Sequence, residues 1–330
     1  MAADTPPSTD LTRRRFLALT GTAVVAAGGW PGRLPGLGPP PIVEEPFAAI
    51  VPLGEGIWAV VSTPLEAGDF TTVCNGGIVA GSERVLAVEG FAGAEGAAWV
   101  AEQAGRLTGR RPTDVLVTHF HGDHTGGLAG YLGEGAAPTL LATVETVRLT
   151  RDSGAEGERL AMLEGARILP PDAATELDLG GRGVRLVPRS GHTPSDVTVE
   201  VADSPVLFGG DLLWNGFFPN YRDTTPSRFA ASIRDLRAQE RTTWVPGHGP
   251  LADRAAVERL LAVVELLADH AARSHERGLD AAAAAETFEL PPAAAEWHLF
   301  SPSYFEVAIG KVYAELEERP PAHPGVRREA

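Results

Sequence analysis

Short apolar runs bounded by Gly, Pro or Asp dominate the first half of the chain, and their length suits strands rather than helices. Residues 50–61, 71–79 and 84–88 are such runs, and their turn-forming boundaries predict antiparallel strands. Residues 94–107 carry Ala98, Val100, Ala101, Ala104 and Leu107 at near-helical spacing with Glu95 and Glu102 on other faces, which predicts an amphipathic helix. An alternating order follows: a buried strand over 114–118, a loop rich in Gly and His, a helix near Leu128 and a strand over 139–142. Further strands are expected over 184–187, 197–201 and 206–208. Beyond His248 the period lengthens: Val257, Leu260, Leu261, Val264 and Leu267 mark a helix over 255–273, and residues 281–285 and 304–316 keep that texture. There is no solenoid-period repeat and no coiled-coil heptad.

The flanks lack this patterning. Residues 31–46 are dominated by Pro and Gly, which offer no packing face, and read as a linker. Before them, Thr12-Arg13-Arg14-Arg15-Phe16-Leu17 precedes a small and apolar run over 18–29 that is too short to span a bilayer as a mature helix. This reads as a twin-arginine signal. The expected organisation is therefore a signal (1–30), a linker (31–46), a mixed α/β domain (47–250) and a helical C-terminal extension (251–330) that frays from Pro320. The twin-arginine export machinery is the expected partner, the location is periplasmic or extracellular, and no stable membrane span remains after processing.

Composition narrows the chemistry. The 330 residues are 44% apolar, enough for a large core, and the formal net charge of -15 opposes phosphate backbones, so nucleic acid is not an expected partner. Cys74 is the sole cysteine, which excludes an intramolecular disulfide and a thiolate-rich zinc knuckle. Any metal must rest on imidazoles and carboxylates. Cys74 itself reads as a small buried hydrophobe.

Those donors are concentrated where the 114–118 strand ends. Thr118-His119-Phe120-His121-Gly122-Asp123-His124 sets three imidazoles and one carboxylate within six positions, and Gly122 permits the tight turn that would make them converge. Alternation at 119 and 121 can aim two rings at one point, and 123 and 124 at a neighbouring one. Mixed imidazole and carboxylate suit Zn, Fe or Mn rather than Ca, which takes oxygen alone. Gly191-His192-Thr193, Gly209-Gly210-Asp211 and Pro246-Gly247-His248-Gly249 repeat the theme at the ends of three later strands. Trp214, Phe217, Phe218 and Tyr221, and the aromatic group around His298, read as packing. His270 and His275, in a charged helix, read as solvated.

The order HxHxDH, a lone His in Gly-His-Thr, Gly-Asp and Gly-His-Gly resembles the metallo-β-lactamase superfamily over roughly residues 47–250. The helical tail is similar in texture to exported members of the quinoprotein-relay type. The resemblance implies an αββα sandwich with two metals, expected to be two zinc ions with iron or manganese as alternatives. It also implies a ligand division: His119, His121 and His192 on one metal, Asp123, His124 and His248 on the other, and Asp211 bridging. Two adjacent cations would acidify a shared water for attack on a small carbonyl substrate such as a thioester, lactone or amide, with Asp123 as the acid/base that orients it. The alternatives are a β-lactamase, disfavoured by Asp211 where those enzymes usually carry Cys or Ser, and a mononuclear iron dioxygenase using His119, His192 and Asp211. Glu89 stands where many members have Asp and is expected to orient a ligand histidine. Ser195 interrupts the usual Gly-His-Thr-Pro-Gly.

Overall fold

Along the strands Val85–Val88, Asp114–Leu116, Val197–Val201 and Val206–Trp214 every side chain is buried, yet alternate side chains belong to different cores. The computed structural model describes residues 39–62, 69–133 and 135–318, so the signal, much of the linker and the tail from Pro320 lie outside the described residues. One sheet runs in chain order through β1 (Val43–Glu44), β2 (Ala48–Gly54), β3 (Ile57–Ser62), β4 (Gly76–Ala80), β5 (Val85–Val88), β6 (Asp114–Leu116), β7 (Thr139–Thr143) and β8 (Arg167–Leu169). It is antiparallel as far as β5 and parallel from β5 to β8. The second comprises β9 (Thr175–Asp178), β10 (Gly183–Pro188), β11 (Val197–Val201), β12 (Val206–Trp214) and β13 (Thr243–His248), antiparallel except for the parallel β12–β13 pair.

The period of two in a strand sorts the side chains into layers. In β5, Leu86 and Val88 enter the core between the sheets, where they join Leu116 of β6, Val199 of β11 and Phe208 of β12. Val85 and Ala87 face outward onto α1 (Ala94–Thr108), through Ala97, Val100, Ala101 and Ala104. On the far side, Leu207 and Trp244 face the helices. The result is the expected αββα sandwich.

Smaller helices complete the layers: α2 (Gly122–Thr125) in the His-rich loop, then α3 (Val144–Asp152) and α4 (Glu158–Glu164) beside the first sheet. The second sheet is covered by α5 (Pro226–Ala238), α6 (Arg254–Glu276), α7 (Ala281–Ala285) and α8 (Tyr304–Glu318). Phe229 and Ile233 of α5, Leu260 and Leu267 of α6 and Ile309 of α8 share one buried cluster with Trp244 of β13. The C-terminal helices therefore complete the sandwich's outer core. Among the described residues no helix is long and apolar enough to cross a membrane.

Several expectations change. Residues 50–61 are not one strand but the hairpin of β2 and β3, folded at Gly56, whose φ of 67° an L side chain rarely adopts. Of residues 71–79 only the end is strand, and the helix near Leu128 is a single 3-10 turn, Leu128–Tyr131. Within the stretch read as linker, Val43 and Glu44 pair with Ile50 and Ala49. Neither His270 nor His275 is merely solvated: His270 Nε2 lies 2.8 Å from the Ala284 carbonyl of α7, and His275 Nε2 lies 3.3 Å from a Glu317 oxygen of α8.

Because Ile309 is fully buried in the shared core, Ile309→Ala is expected to destabilise the protein by about 2–5 kcal/mol. Denaturant unfolding should show one transition moved to lower midpoint; a separate early transition would mean that α8 folds apart from the sandwich.

Candidate metal centre

Three strand ends and the interior of a fourth strand converge on one place. β6 runs into Thr118, His119 and the loop bearing His121, and α2 then presents Asp123 and His124. His192 lies between β10 and β11 in a loop tied by Asp196, whose carboxylate accepts from the Thr193 amide (3.0 Å) and hydroxyl (2.7 Å). Ser195 joins that network, its amide donating to Thr193 Oγ1 at 3.0 Å, so its intrusion leaves the loop closed. Asp211 was expected just after a strand, but β12 continues to Trp214. Register shifts against β13 around Gly210 break the ladder there and re-aim the side chain inward. His248 ends β13, and a Cβ on the preceding Gly247 would sit 1.9 Å from Asp211 Oδ1, so the close approach requires glycine there.

All seven expected side chains meet, in two groups whose donor atoms lie within 4.8 Å of one another. In the first group, His121 Nδ1 is 3.0 Å from His119 Nε2 and 3.1 Å from His192 Nε2, while Asp211 Oδ2 is 3.2 Å from His192 Nε2 and 3.9 Å from His119 Nε2. In the second, Asp123 Oδ2 lies 3.2 Å from His248 Nε2 and 3.5 Å from His124 Nε2, and Asp211 Oδ1 lies 3.2 Å from His124 Nε2 and 3.4 Å from His248 Nε2. Asp211 therefore turns one oxygen to each group.

These donors fit cations better than hydrogen bonds. A tetrahedral ion with bonds of about 2.0–2.1 Å spaces its ligands about 3.3 Å apart, close to most of these separations. His121 Nδ1 cannot serve as partner to two imidazoles at once, and buried His124 Nε2 and Asp211 Oδ1 have no hydrogen-bond partner among the described residues.

The surrounding contacts fix which nitrogen faces the centre. The Thr118 hydroxyl donates to Glu89 Oε1 at 2.6 Å, so at 3.0 Å it accepts from His119 Nδ1 and leaves Nε2 free inward. His121 Nε2 donates to Asp223 Oδ2 at 2.9 Å, leaving Nδ1 inward. Glu89 Oε1 is also 3.1 Å from His124 Nδ1, the orienting position expected of it. Glu89 holds a positive φ of 84° at the end of β5, strain of the kind found at functional sites. Asp223 was not anticipated: it lies outside any motif, 102 positions from His121, and only the loop after β12 brings the two together.

Burial and the neighbouring His124 and His121 hold His119 well below the usual imidazole range, and burial pushes His192 down to about 3 against the pull of Asp211. His248 goes the other way, to about 9: burial opposes protonation, but Asp211 and Asp123 outweigh it. Although burial would raise Asp211, the charges of His248, His124 and His192 hold it well below the carboxylate range. Burial pushes the Cys74 thiol up to about 12, and Sγ donates to the Asp123 carbonyl at 3.1 Å, as suits a packed thiol rather than a nucleophile.

With this geometry established, comparisons place the chain among known proteins. A family model described as the metallo-beta-lactamase superfamily matches residues 90–260. A hydroxyacylglutathione hydrolase of Acidiphilium cryptum is 32% identical over 149 residues, covering 45% of this chain and 55% of that protein. A metallo-beta-lactamase type 2 of Bacillus sp. (strain 170) is 29% identical over 164 residues, covering 48% and 58%. The chain spans about half the length of the curated relatives it matches. The fold resembles a solved metallo-beta-lactamase from Pontibacter korlensis at a TM-score of 0.56 and 20% identity, covering 66% of this chain and 99% of that one.

Removing an orienting carboxylate should loosen the centre without unfolding it. Asp223→Asn and Glu89→Gln are each expected to weaken metal retention by about 10–100-fold, measured by competition with a chromophoric chelator; unaltered retention in both would deny them that role.

Proposed function

Since the chain belongs to the metallo-β-lactamase superfamily, we propose that it is a dinuclear-metal hydrolase, most suited to zinc, acting on a small carbonyl substrate such as a thioester, lactone or amide. The observation that carries this reading is Asp211, whose two oxygens face different donor groups from a fully buried strand. In this proposal His119, His121 and His192 would hold one cation, Asp123, His124 and His248 would hold the other, and Asp211 would contribute an oxygen to each group. Bound cations would supply Lewis acidity and a water acidic enough to attack a carbonyl near neutral pH.

The chain's own groups define how substrate is met. His119, His124 and His192 are sealed, whereas the side chains of Asp123 and His121 are 28% and 16% exposed, which marks the open side of the centre. Of the two carboxylates among the seven donors, Asp211 is buried and Asp123 is the one open to solvent. Burial would raise it, but His124 and His248 hold it below the usual range. It is thus poised as an anion to take a proton from attacking water and return it to the leaving sulfur, oxygen or nitrogen. The second group of donors counts against a mononuclear iron dioxygenase, which would need only His119, His192 and Asp211. The relative named a hydroxyacylglutathione hydrolase supports the thioester end of the substrate range.

Elemental analysis of the protein beside Asp211→Ala, with turnover of a thioester, a lactone and a β-lactam, tests this proposal. Two zinc ions per chain with metal-dependent hydrolysis are expected, and Asp211→Ala should lose at least one ion and most activity. One iron per chain with oxygen uptake and no hydrolysis would replace the reading with the dioxygenase.

We further propose export through the twin-arginine machinery to the periplasm or beyond, supported by Arg13-Arg14-Arg15-Phe16-Leu17 ahead of the small, apolar run. A chain carrying Arg13→Lys, Arg14→Lys and Arg15→Lys is expected to stay in the cytoplasm by cell fractionation, whereas undiminished export would exclude that route.

A further inference from the structure

Residues 297–305 lie beyond the family match at 90–260, yet they reach the metal centre. His298 is tied by backbone to the loop after β12: its amide donates to the Gly216 carbonyl at 2.9 Å, and its carbonyl accepts from the Phe218 amide at 3.0 Å. That clip holds Phe300 over the His248 side of the site. The Phe300 ring is 5.3 Å from Phe217 and nearly parallel to it, 6.2 Å from Trp214 and 6.1 Å from His248. Trp214 in turn stacks on His248 at 4.4 Å. Tyr304, at the start of α8, lies 6.2 Å from Phe300. Both rings pack against the same buried cluster as Trp214 and Phe217.

Trp214 and Phe217 are buried, while Phe300 and Tyr304 remain half-exposed. The inner pair is structural packing. The outer pair leaves an apolar face open beside polar ligands, a position at which a substrate group rather than the core completes the burial.

We propose that Phe300 and Tyr304 form the substrate-selecting wall of the centre, favouring substrates with an aromatic or bulky apolar group next to the scissile carbonyl. This rests on the hydrolase reading for the word substrate, but the wall has its own readout. Calorimetric binding of phenylacetate and acetate to the zinc-loaded protein compares the two carboxylates without turnover. Phenylacetate is expected to bind about tenfold tighter or more, with the preference abolished in Phe300→Ala and largely kept in Phe300→Leu. A parallel panel of phenylacetyl and acetyl thioesters should show the same ratio in kcat/KM, and that ratio should fall toward one in Phe300→Ala while zinc content is kept. Equal affinity of the wild-type protein for the two carboxylates, or a preference that survives Phe300→Ala, would overturn the wall. A phenylacetate preference without any hydrolysis would leave the wall standing and remove the hydrolase.

Discussion

Asp211 is the constraint on which the rest depends. A carboxylate in the middle of a fully buried strand, held ionised among imidazoles, is tolerable only where opposite charge meets both of its oxygens. The irregular pairing of β12 with β13 turns that side chain toward the ligand loops, and glycine at 247 avoids a Cβ that would collide with it. Concentrating Asp123, Asp211 and Glu89 with five histidines makes the site hard to explain as structural packing, and simple to explain as a pair of cation sites.

The scaffold supplies this convergence through its parallel pairs. β5–β6 and β12–β13 are parallel, so their carboxyl ends lie together, and from those ends come Glu89, the His119–His124 loop and His248. Ligands of mixed sheets gather at such edges because loops leaving adjacent parallel strands open the same way. Two sheets brought face to face then set the His192 loop and Asp211 opposite the 119–124 loop, with Phe208 and Leu116 filling the space behind.

The helices after β13 extend this logic outward. Their apolar faces finish the core that covers the second sheet, and the connection before α8 brings aromatic side chains to the rim of the centre. Stability and site shape thus share one segment: Ile309 and Val312 are sealed in the cluster against which Phe300 and Tyr304 pack.

Much of this was legible along the chain. The strand and helix periods of β5, β6, β11, α1 and α6, and all seven converging donors, can be read from local sequence, because burial period and ligand type are properties of neighbouring positions. The short polar-rich elements were not: α3 and β9 carry too few apolar residues to show a period, and α5 was overlooked although Phe229, Ile233 and Leu236 mark its buried face. Only the tertiary structure decided which imidazole nitrogen faces inward, that Asp223 orients His121, that Asp211 sits within a strand, and that Phe300 stands beside His248. Those facts join positions far apart in the chain, and packing between sheets and helices, not local preference, sets their distances.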